Sequence, residues 1–232
     1  MKINKDKFKE FLDKSSCGLM QNTKITFGES GASSNLMNKS AVALLETSIR
    51  KEAFTEYEAI GDIFIADLPK FIKIVESFDD LFEIKTESNV IKIFDGKRCV
   101  DFPLASVEAC DNIFEKEFKE PEGLIEMDIE KTFLDKALAD LLMLGESELK
   151  FVLEGGVLKT LIGKDNVKTE NKVTVNVEGS VTVRSGEIIA GVIKKVGEKI
   201  KMKIASDVPI VIYDKSENVT LKAIVAPRIE EE

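Results

Sequence analysis

The chain has 232 residues and a formal net charge of −9, with 44% hydrophobic and 32% charged residues. This is the composition of an ordinary globular protein, and the length suits one large domain or two modest ones. The sequence contains no histidine, which excludes the commonest general base and transition-metal ligand. Its three cysteines are widely spaced and form no Cys-x-x-Cys pair, so they indicate neither a disulfide framework nor a zinc site.

The sequence also argues against a membrane protein and against secretion. No stretch approaches the ~18 to 20 consecutive apolar residues that a membrane helix requires. The opening MKINKDKFKE lacks the apolar core of a signal peptide. We therefore expect a protein of the cytoplasm (nucleoid) or the nucleus. The acidic net charge does not by itself exclude nucleic acid, because the two signs of charge can be segregated on a surface.

Two parts of the sequence recur in the same order at a similar separation. Phe-Leu-Asp-Lys occurs at 11–14 and again at 133–136. Farther along, FIKIVESFDDLFEIKTESNVIKIFD (71–95) has a counterpart in VIKKVGEKIKMKIASDVPIVIYD (192–214). Both stretches indicate a helix, a short turn and alternating strands. We interpret this as an internal duplication of residues 1 to about 118 and about 122 to 232.

Each half is predicted to hold two helices among antiparallel strands. Helical periodicity predicts helices at Lys5–Ser16, 68–78, 129–144 and 186–196. Period-two alternation predicts strands, most clearly in NVIKIFDG, KVTVNVEG, SVTVRSG and KIKMKIAS. The predicted fold class is therefore α+β, with two similar domains at 1–105 and 124–232. The charged segment 106–123 has no clear period and is interpreted as a connecting loop.

The lysines of the predicted helices fall on or beside their polar faces, at about 100° per residue. These lysines are Lys7, Lys9, Lys14, Lys70, Lys73, Lys136, Lys194 and Lys195. A solvated outer face is the ordinary explanation of such a pattern. Two pairs, however, occupy matching positions of the repeat: Lys14 matches Lys136, and Lys73 matches Lys194. A duplicated unit with lysines at matching positions would suit the periodic phosphates of a nucleic acid.

The C-terminal stretches ASDVPIVIYD (205–214) and NVTLKAIVAPRIEEE (218–232) resemble the end of sliding clamps of the proliferating cell nuclear antigen (PCNA) type. SSNLMNKSAVALLETSI (33–49) is similar to an early segment of that family, and LPKFIKIV (68–75) resembles its DNA-facing second helix. The resemblance implies a duplicated DNA-clamp fold with inner helices and outer antiparallel sheets. It also implies a ring of three chains, whose basic lining and acidic outer wall are compatible with the acidic total.

The resemblance implies a DNA sliding clamp, a processivity factor without catalytic residues, cofactor or metal. The implied partners are double-stranded DNA, DNA polymerase, a clamp loader, replication or repair proteins with clamp-binding peptides, and further copies of the chain in a homotrimer. The eight lysines above would then face DNA. In the family, partner peptides enter a pocket beneath the interdomain loop. The residues assigned to this pocket by resemblance are Met37, Ile113, Phe114, Pro209, Ala226, Pro227 and Ile229.

An edge strand near residues 97–104 is expected to pair with one near 172–177 of the next chain, head to tail. The chain is shorter than its family between residues 163 and 180, as viral and phage clamps are. Two other classes stay open. One is a monomeric or heteromeric clamp-like subunit, similar to those of checkpoint clamps. The other is a carboxylate-dependent metal enzyme, for which the sequence contains no motif.

Overall fold

The computed structural model describes residues 1–110, 113–114, 117–164 and 167–229. The chain divides into two compact units. The first contains Met1–Lys116 and Lys215–Leu221, and the second contains Glu117–Asp214 and Lys222–Glu232. The division falls inside the predicted connecting loop. No local pattern of the sequence indicates that the short segment Lys215–Leu221 packs with the first unit.

The first unit consists of two antiparallel sheets and two helices. The helices are α1 (Lys5–Ser16) and α2 (Leu68–Glu76). The strands are β1 (Lys2–Asn4), β2 (Thr23–Gly28), β3 (Gly31–Met37), β4 (Ala43–Arg50), β5 (Phe54–Glu56), β6 (Gly61–Ile65), β7 (Leu81–Glu87), β8 (Val90–Phe94), β9 (Cys99–Pro103) and β10 (Ile113–Phe114). One sheet has the order β5-β1-β7-β8-β9. The other has the order β6-β2-β3-β4, with β10 beside β3.

The second unit repeats this plan. Its helices are α3 (Lys131–Leu144) and α4 (Ile188–Lys195). Its strands are β11 (Ile125–Glu130), β12 (Glu148–Glu154), β13 (Val157–Lys164), β14 (Val167–Thr174), β15 (Ser180–Gly186), β16 (Lys199–Ile204), β17 (Ile210–Lys215) and β18 (Val219–Val225). The sheets have the orders β11-β16-β17-β18 and β15-β12-β13-β14.

The predicted α+β class and the predicted duplication are confirmed. Each unit begins with a strand and a long helix, continues through a group of strands to a second helix, and ends with further strands. By this order β4 corresponds to β14, and β9 corresponds to β18. All four helices lie within the predicted spans, although α2, α3 and α4 are shorter than predicted. Within the described ranges, no helix is long and apolar enough to cross a membrane.

Local sequence signals fix where the helices begin and end. The Asn4 side chain accepts hydrogen bonds from the first amides of α1, and Asp67 Oδ1 accepts one from Lys70 N at 2.9 Å in α2. Pro69 stands in the first turn of α2, where its missing N–H costs nothing. Helix α3 ends at Gly145, whose φ of 65° is the left-handed conformation that glycine adopts readily.

Each unit has its own apolar core beneath its helices. In the first unit, Phe8 of α1 meets Phe71 of α2 edge to face, with ring centroids 6.5 Å apart, and both are fully buried. In the second unit, Leu134 of α3 and Ile189 of α4 are fully buried. Burial of such a side chain stabilises the fold by about 1.5 to 3 kcal/mol. These buried faces determine which face of each helix remains for its charged residues.

Candidate functional site

Helices α1 and α2 of the first unit are joined by an ion pair. Lys9 Nζ on α1 lies 2.6 Å from Asp13 Oδ2 and 3.1 Å from Glu76 Oε1 on α2. The hydrogen bond to Asp13, with a smaller contribution from Glu76, raises the pKa of Lys9 above its ordinary value. Lys70 and Lys73 on α2 are exposed. The first unit therefore places these two lysines of α2 in solvent.

Lys14 does not lie on the surface as expected. Its residue is 2% exposed, and its Nζ is 2.6 Å from Glu10 Oε1, one turn earlier in α1. A covered ammonium that already contacts a carboxylate is poorly placed to approach a phosphate. Lys7, on the same helix, is half-buried. We therefore leave Lys14 out of the contact set proposed below.

Lys73 and Lys194 occupy equivalent positions in the two units. Lys73 lies in the last turn of α2, and Lys194 lies in the last turn of α4 beside Lys195. Both Lys73 and Lys194 are exposed, and Lys195 is half-buried. Cations in the last turn interact favourably with the negative end of the helix dipole. The matching position that the sequence predicted is therefore present in the structure.

Helix α3 has a mixed polar surface. Lys136 is exposed, but the neighbouring Asp135 is exposed as well. Asp140 is engaged inside the unit, where its Oδ2 accepts a hydrogen bond from Asn171 of β14 at 2.8 Å. Opposite charges on adjacent exposed residues partly cancel at a distance. Lys136 is thus exposed, and the charge of Asp135 beside it partly offsets its own.

Strand β9 lies at the edge of its sheet and has backbone groups directed outward. Leu104 N donates to Asn89 O at 2.8 Å. Backbone N–H and C=O groups alternate in direction along an antiparallel pair. The backbone groups of even-numbered residues of β9 therefore face β8, and the backbone groups of Cys99 and Asp101 face away from it. Pro103, without an N–H, also stands at an outward position. In the described part of the first unit, no strand pairs with this side of β9.

Strand β14 is the corresponding edge of a sheet in the second unit. Val175 N donates to Gly156 O at 2.8 Å, so odd-numbered residues of this strand face β13. The backbone groups of Lys172 therefore face outward. Among the described residues of this unit, β14 has β13 as its one strand neighbour. The sequence predicted an edge at 172–177, and the strand lies a few residues earlier.

The tail after β18 lies against β15 of the second unit. Pro227 forms an antiparallel bridge with Ser185, and Arg228 N donates to Arg184 O at 2.9 Å. Arg228 Nε also lies 3.5 Å from Glu148 Oε2. By the same alternation, the backbone groups of Pro227 and Ile229 face away from β15. The tail thus adds to the edge of the β15 sheet and leaves its own outer side open, with proline where no N–H is needed.

The residues predicted for the peptide pocket fall into two groups. In the first unit, β10 pairs with the end of β3, Ile113 opposite Met37 and Phe114 opposite Leu36. The Phe114 ring lies 5.7 Å from that of Phe64, and Met37 is half-buried. In the second unit, three residues are half-buried and Ile229 is 71% exposed. The half-buried residues are Pro209, Ala226 and Pro227. That both groups line one pocket stays a prediction.

Sequence reasoning missed a cluster around Glu120, at the end of the connecting loop. Glu120 Oε2 lies 2.8 Å from Lys203 Nζ, and Oε1 accepts a hydrogen bond from the Tyr213 hydroxyl. Lys222 Nζ lies 3.8 Å from the same Oε1. Lys203, Tyr213 and Lys222 come from the neighbouring strands β16, β17 and β18. No local pattern indicates this cluster, because its members are at least 83 residues from Glu120 in the sequence.

Glu120 is expected to make folding stability depend on pH. The hydrogen bond from Lys203, followed by that from Tyr213, holds the pKa of Glu120 below its ordinary value of 4.5. Its contribution is therefore full above pH 4.5 and is lost as the pH falls through the lowered value. We expect Glu120→Gln to reduce the free energy of unfolding by about 1 kcal/mol near neutral pH and by progressively less as the pH is lowered below 4.5.

Urea unfolding at a fixed protein concentration, repeated across this pH range, measures the effect. Glu122→Gln is the matched control, since Glu122 is an exposed carboxylate of the same segment. It should be as stable as the wild type at every pH. A deficit of Glu120→Gln that is the same at both ends of the range would contradict the assignment.

Two units of the same order, each with paired helices and two sheets, define the class of duplicated DNA-clamp folds. No protein-family model matches the chain. It is 25% identical to the DNA polymerase sliding clamp of Thermococcus gammatolerans over 248 aligned positions, which cover 97% of each chain. This relative agrees with the class that the C-terminal stretches indicated.

Solved structures show which clamp fold this is. A. fulgidus PCNA bound to the C-terminal region of FEN-1 is similar with a TM-score of 0.84 and 17% identity, over 100% of this chain and 98% of that one. PCNA of Entamoeba histolytica gives 0.84 and 16% identity, over 98% of each chain. PCNA of Thermococcus kodakaraensis gives 0.83 and 12%, over 98% and 99%. The chain has the fold of the PCNA-type sliding clamps, as the sequence predicted.

Proposed function

We propose that the chain acts as a DNA sliding clamp, a processivity factor that encircles duplex DNA and tethers DNA polymerase. The observation that carries the proposal is the likeness to PCNA over the whole chain, with a TM-score of 0.84. The exposed, repeat-equivalent Lys73 and Lys194 support it, since a clamp needs cations at regular positions around DNA. The protein works by binding, with no chemistry of its own, in the cytoplasm (nucleoid) or nucleus.

The proposed DNA-facing set consists of lysines on all four helices. Its members are Lys7, Lys9, Lys70, Lys73, Lys136, Lys194 and Lys195. Contacts between ammonium groups and phosphates position a protein on DNA without reading the bases. A sliding protein requires contacts of this kind, and several weak ones are preferable to one strong one. Lys9 contributes least, because Asp13 and Glu76 already contact it.

Reversing the charge of both equivalent lysines should weaken clamp loading. We expect the double variant Lys73→Glu, Lys194→Glu to reduce polymerase stimulation on primed circular DNA by about tenfold or more, with the largest difference at low salt, where the charges are screened least. The physical reason is that both units then repel phosphate where they attracted it. Retention on nicked circular DNA and its loss on linearisation measure the encircling directly.

The control variant Lys51→Glu, Lys215→Glu makes the same change in net charge at exposed residues outside the four α-helices. It should stimulate the polymerase as the wild type does. Both variants should keep the oligomeric mass of the wild type. Unchanged stimulation by the helix variant at moderate salt would show that α2 and α4 do not face DNA.

We also propose a closed ring of three chains, with β9 of one chain paired to β14 of the next. The first unit supports this arrangement. There β4 is followed in the sheet by the start of β18: Arg50 N donates to Asn218 O at 3.1 Å, and the Ser48 and Thr220 hydroxyls are 2.7 Å apart. Since β14 corresponds to β4, and β9 to β18, a β9 to β14 pair between chains repeats this contact. Such a heterologous contact gives a ring when it closes.

The proposed protein partners are a clamp loader, DNA polymerase and other replication or repair proteins that bind through short peptides. One similar structure holds the C-terminal region of FEN-1, which supports a peptide-binding role. The proposed site uses Met37, Ile113 and Phe114 of the first unit. In the second unit it uses Pro209, Ala226, Pro227 and Ile229. An extended tail with an open outer side suits the addition of a peptide strand, whose apolar side chains then supply affinity.

A further inference from the structure

The connecting loop enters the second unit in a conformation restricted by its own sequence. Pro121 follows Glu120 directly and limits the preceding residue to extended conformations. Gly123 then turns the chain with a φ of 77°, in the left-handed region that favours glycine. The backbone at Glu120 is therefore restricted by the proline that follows it, and the chain turns two residues after that proline. Less backbone entropy is then lost when Glu120 is held against the sheet.

The partners of Glu120 come from three adjacent strands of one sheet. Its side chain is 27% exposed, and those of Lys203 and Lys222 are each 20% exposed. The Lys203 ammonium also lies 5.1 Å from the centre of the Tyr213 ring. A charge-assisted contact that is partly shielded from water is stronger than an exposed ion pair. The interactions of Glu120 with the sheet are therefore stronger than those of an exposed surface glutamate.

The connecting loop is also fixed at an earlier point. Residues 113–114 form β10, which pairs with β3 at Met37. Residues 115–119 separate this strand from Glu120 in the sequence. Among the described residues of the loop, β10 is therefore paired with β3 in the first unit, and Glu120 is bound to the sheet of the second unit.

We propose that Glu120 is the positioning residue of the partner-peptide site. Its side chain binds the end of the connecting loop to β16, β17 and β18. This restricts the conformations of the loop in the protein without peptide. A binding surface that is already ordered loses less conformational entropy when its ligand binds. Glu120 acts through the loop and does not itself contact the peptide. This role rests on the proposed function, in which the loop borders the peptide site.

The matched pair of variants is Glu120→Ala and Glu126→Ala. Both remove a carboxylate from Lys203, since Glu126 Oε2 lies 3.3 Å from the same Nζ. Glu126 belongs to β11 and not to the loop. Glu120→Gln, which keeps hydrogen-bonding atoms without charge, serves as a conservative third variant. Amide hydrogen exchange of the unliganded protein and titration with a synthetic peptide are the two measurements. The peptide has a glutamine, an aliphatic residue and a pair of aromatic residues.

We expect Glu120→Ala to accelerate exchange in residues 106–119 by about tenfold and to weaken peptide binding by about five- to tenfold. Glu120→Gln should fall between this variant and the wild type. Glu126→Ala should leave both measurements unchanged. Partial recovery of slow exchange and of peptide affinity in Glu120→Gln would distinguish a positioning role from a general loss of packing.

Hydrogen exchange and peptide titration together show which hypothesis is wrong, the positioning role of Glu120 or the peptide site itself. Unchanged loop exchange in Glu120→Ala, or equal acceleration in Glu126→Ala, would overturn the proposal. Faster exchange with full peptide affinity would overturn the positioning role and leave the clamp function intact. If the wild type binds no such peptide while exchange accelerates in Glu120→Ala alone, the peptide site fails and the attachment of the loop stands.

Discussion

Replacing Lys172 with proline is expected to convert the proposed ring of three chains into monomers of 25.8 kDa. The amide of Lys172 faces away from β13, so a proline there leaves the ladder inside the unit complete, as edge strands tolerate. The same proline removes a donor from the outward side, where β9 of the next chain would pair. Leaving the opposing carbonyl of the next chain without its donor costs about 1 to 3 kcal/mol, or roughly five- to more than a hundredfold in the dissociation constant of the contact. Light scattering across micromolar concentrations gives the mass.

Two further variants make this result specific. Lys172→Ala removes the same side chain but keeps the amide, and it should remain a trimer. Asp101→Pro changes an outward position of β9, on the other side of the proposed contact, and should also yield monomers. Circular dichroism and thermal unfolding check that each variant is folded. A wild type that is monomeric throughout the concentration range would favour the alternative of a clamp-like subunit that does not form a homotrimer.

Truncation after Val225 is expected to abolish peptide binding while the protein stays folded and trimeric. It removes Ala226, Pro227 and Ile229, which are the tail residues of the proposed site. The truncation also removes the bridge to Ser185 and the Arg228 to Glu148 ion pair, so we expect a loss of about 1 kcal/mol in stability. For comparison, the full chain should bind the peptide with a Kd on the order of micromolar.

Calorimetric titration gives the affinity, and polymerase stimulation reports the coupling to a large partner. Arg228→Ala is the matched control, because it removes the ion pair to Glu148 and keeps the backbone of the tail. It should retain most of the peptide affinity. If the truncated protein unfolds, or if it keeps its affinity for the peptide, the tail has a role in structural packing and not in peptide binding.

Local sequence was sufficient for the helices and for the duplication. The period of apolar residues is a property of neighbours in the chain, and it located α1 to the residue and the other three helices to within a few residues. The start of α2 is likewise encoded locally, by Asp67 at its N-cap and Pro69 in its first turn. The equivalence of Lys73 and Lys194 followed from the repeat alone. The period of a helix and the repeat are both patterns in the order of the residues, so they can be found without knowing the tertiary structure.

The tertiary structure decided which charges are free to act. Lys14 and Lys73 both appeared on polar helix faces, but packing covers Lys14 and leaves Lys73 in solvent. Glu120 looked like any charged loop residue, yet Lys203 and Tyr213 reach it from 83 and 93 residues away. The tail likewise finds Ser185 on a strand distant in the sequence. Burial and pairing of this kind depend on how distant segments come together in space, and no local period of the sequence encodes that.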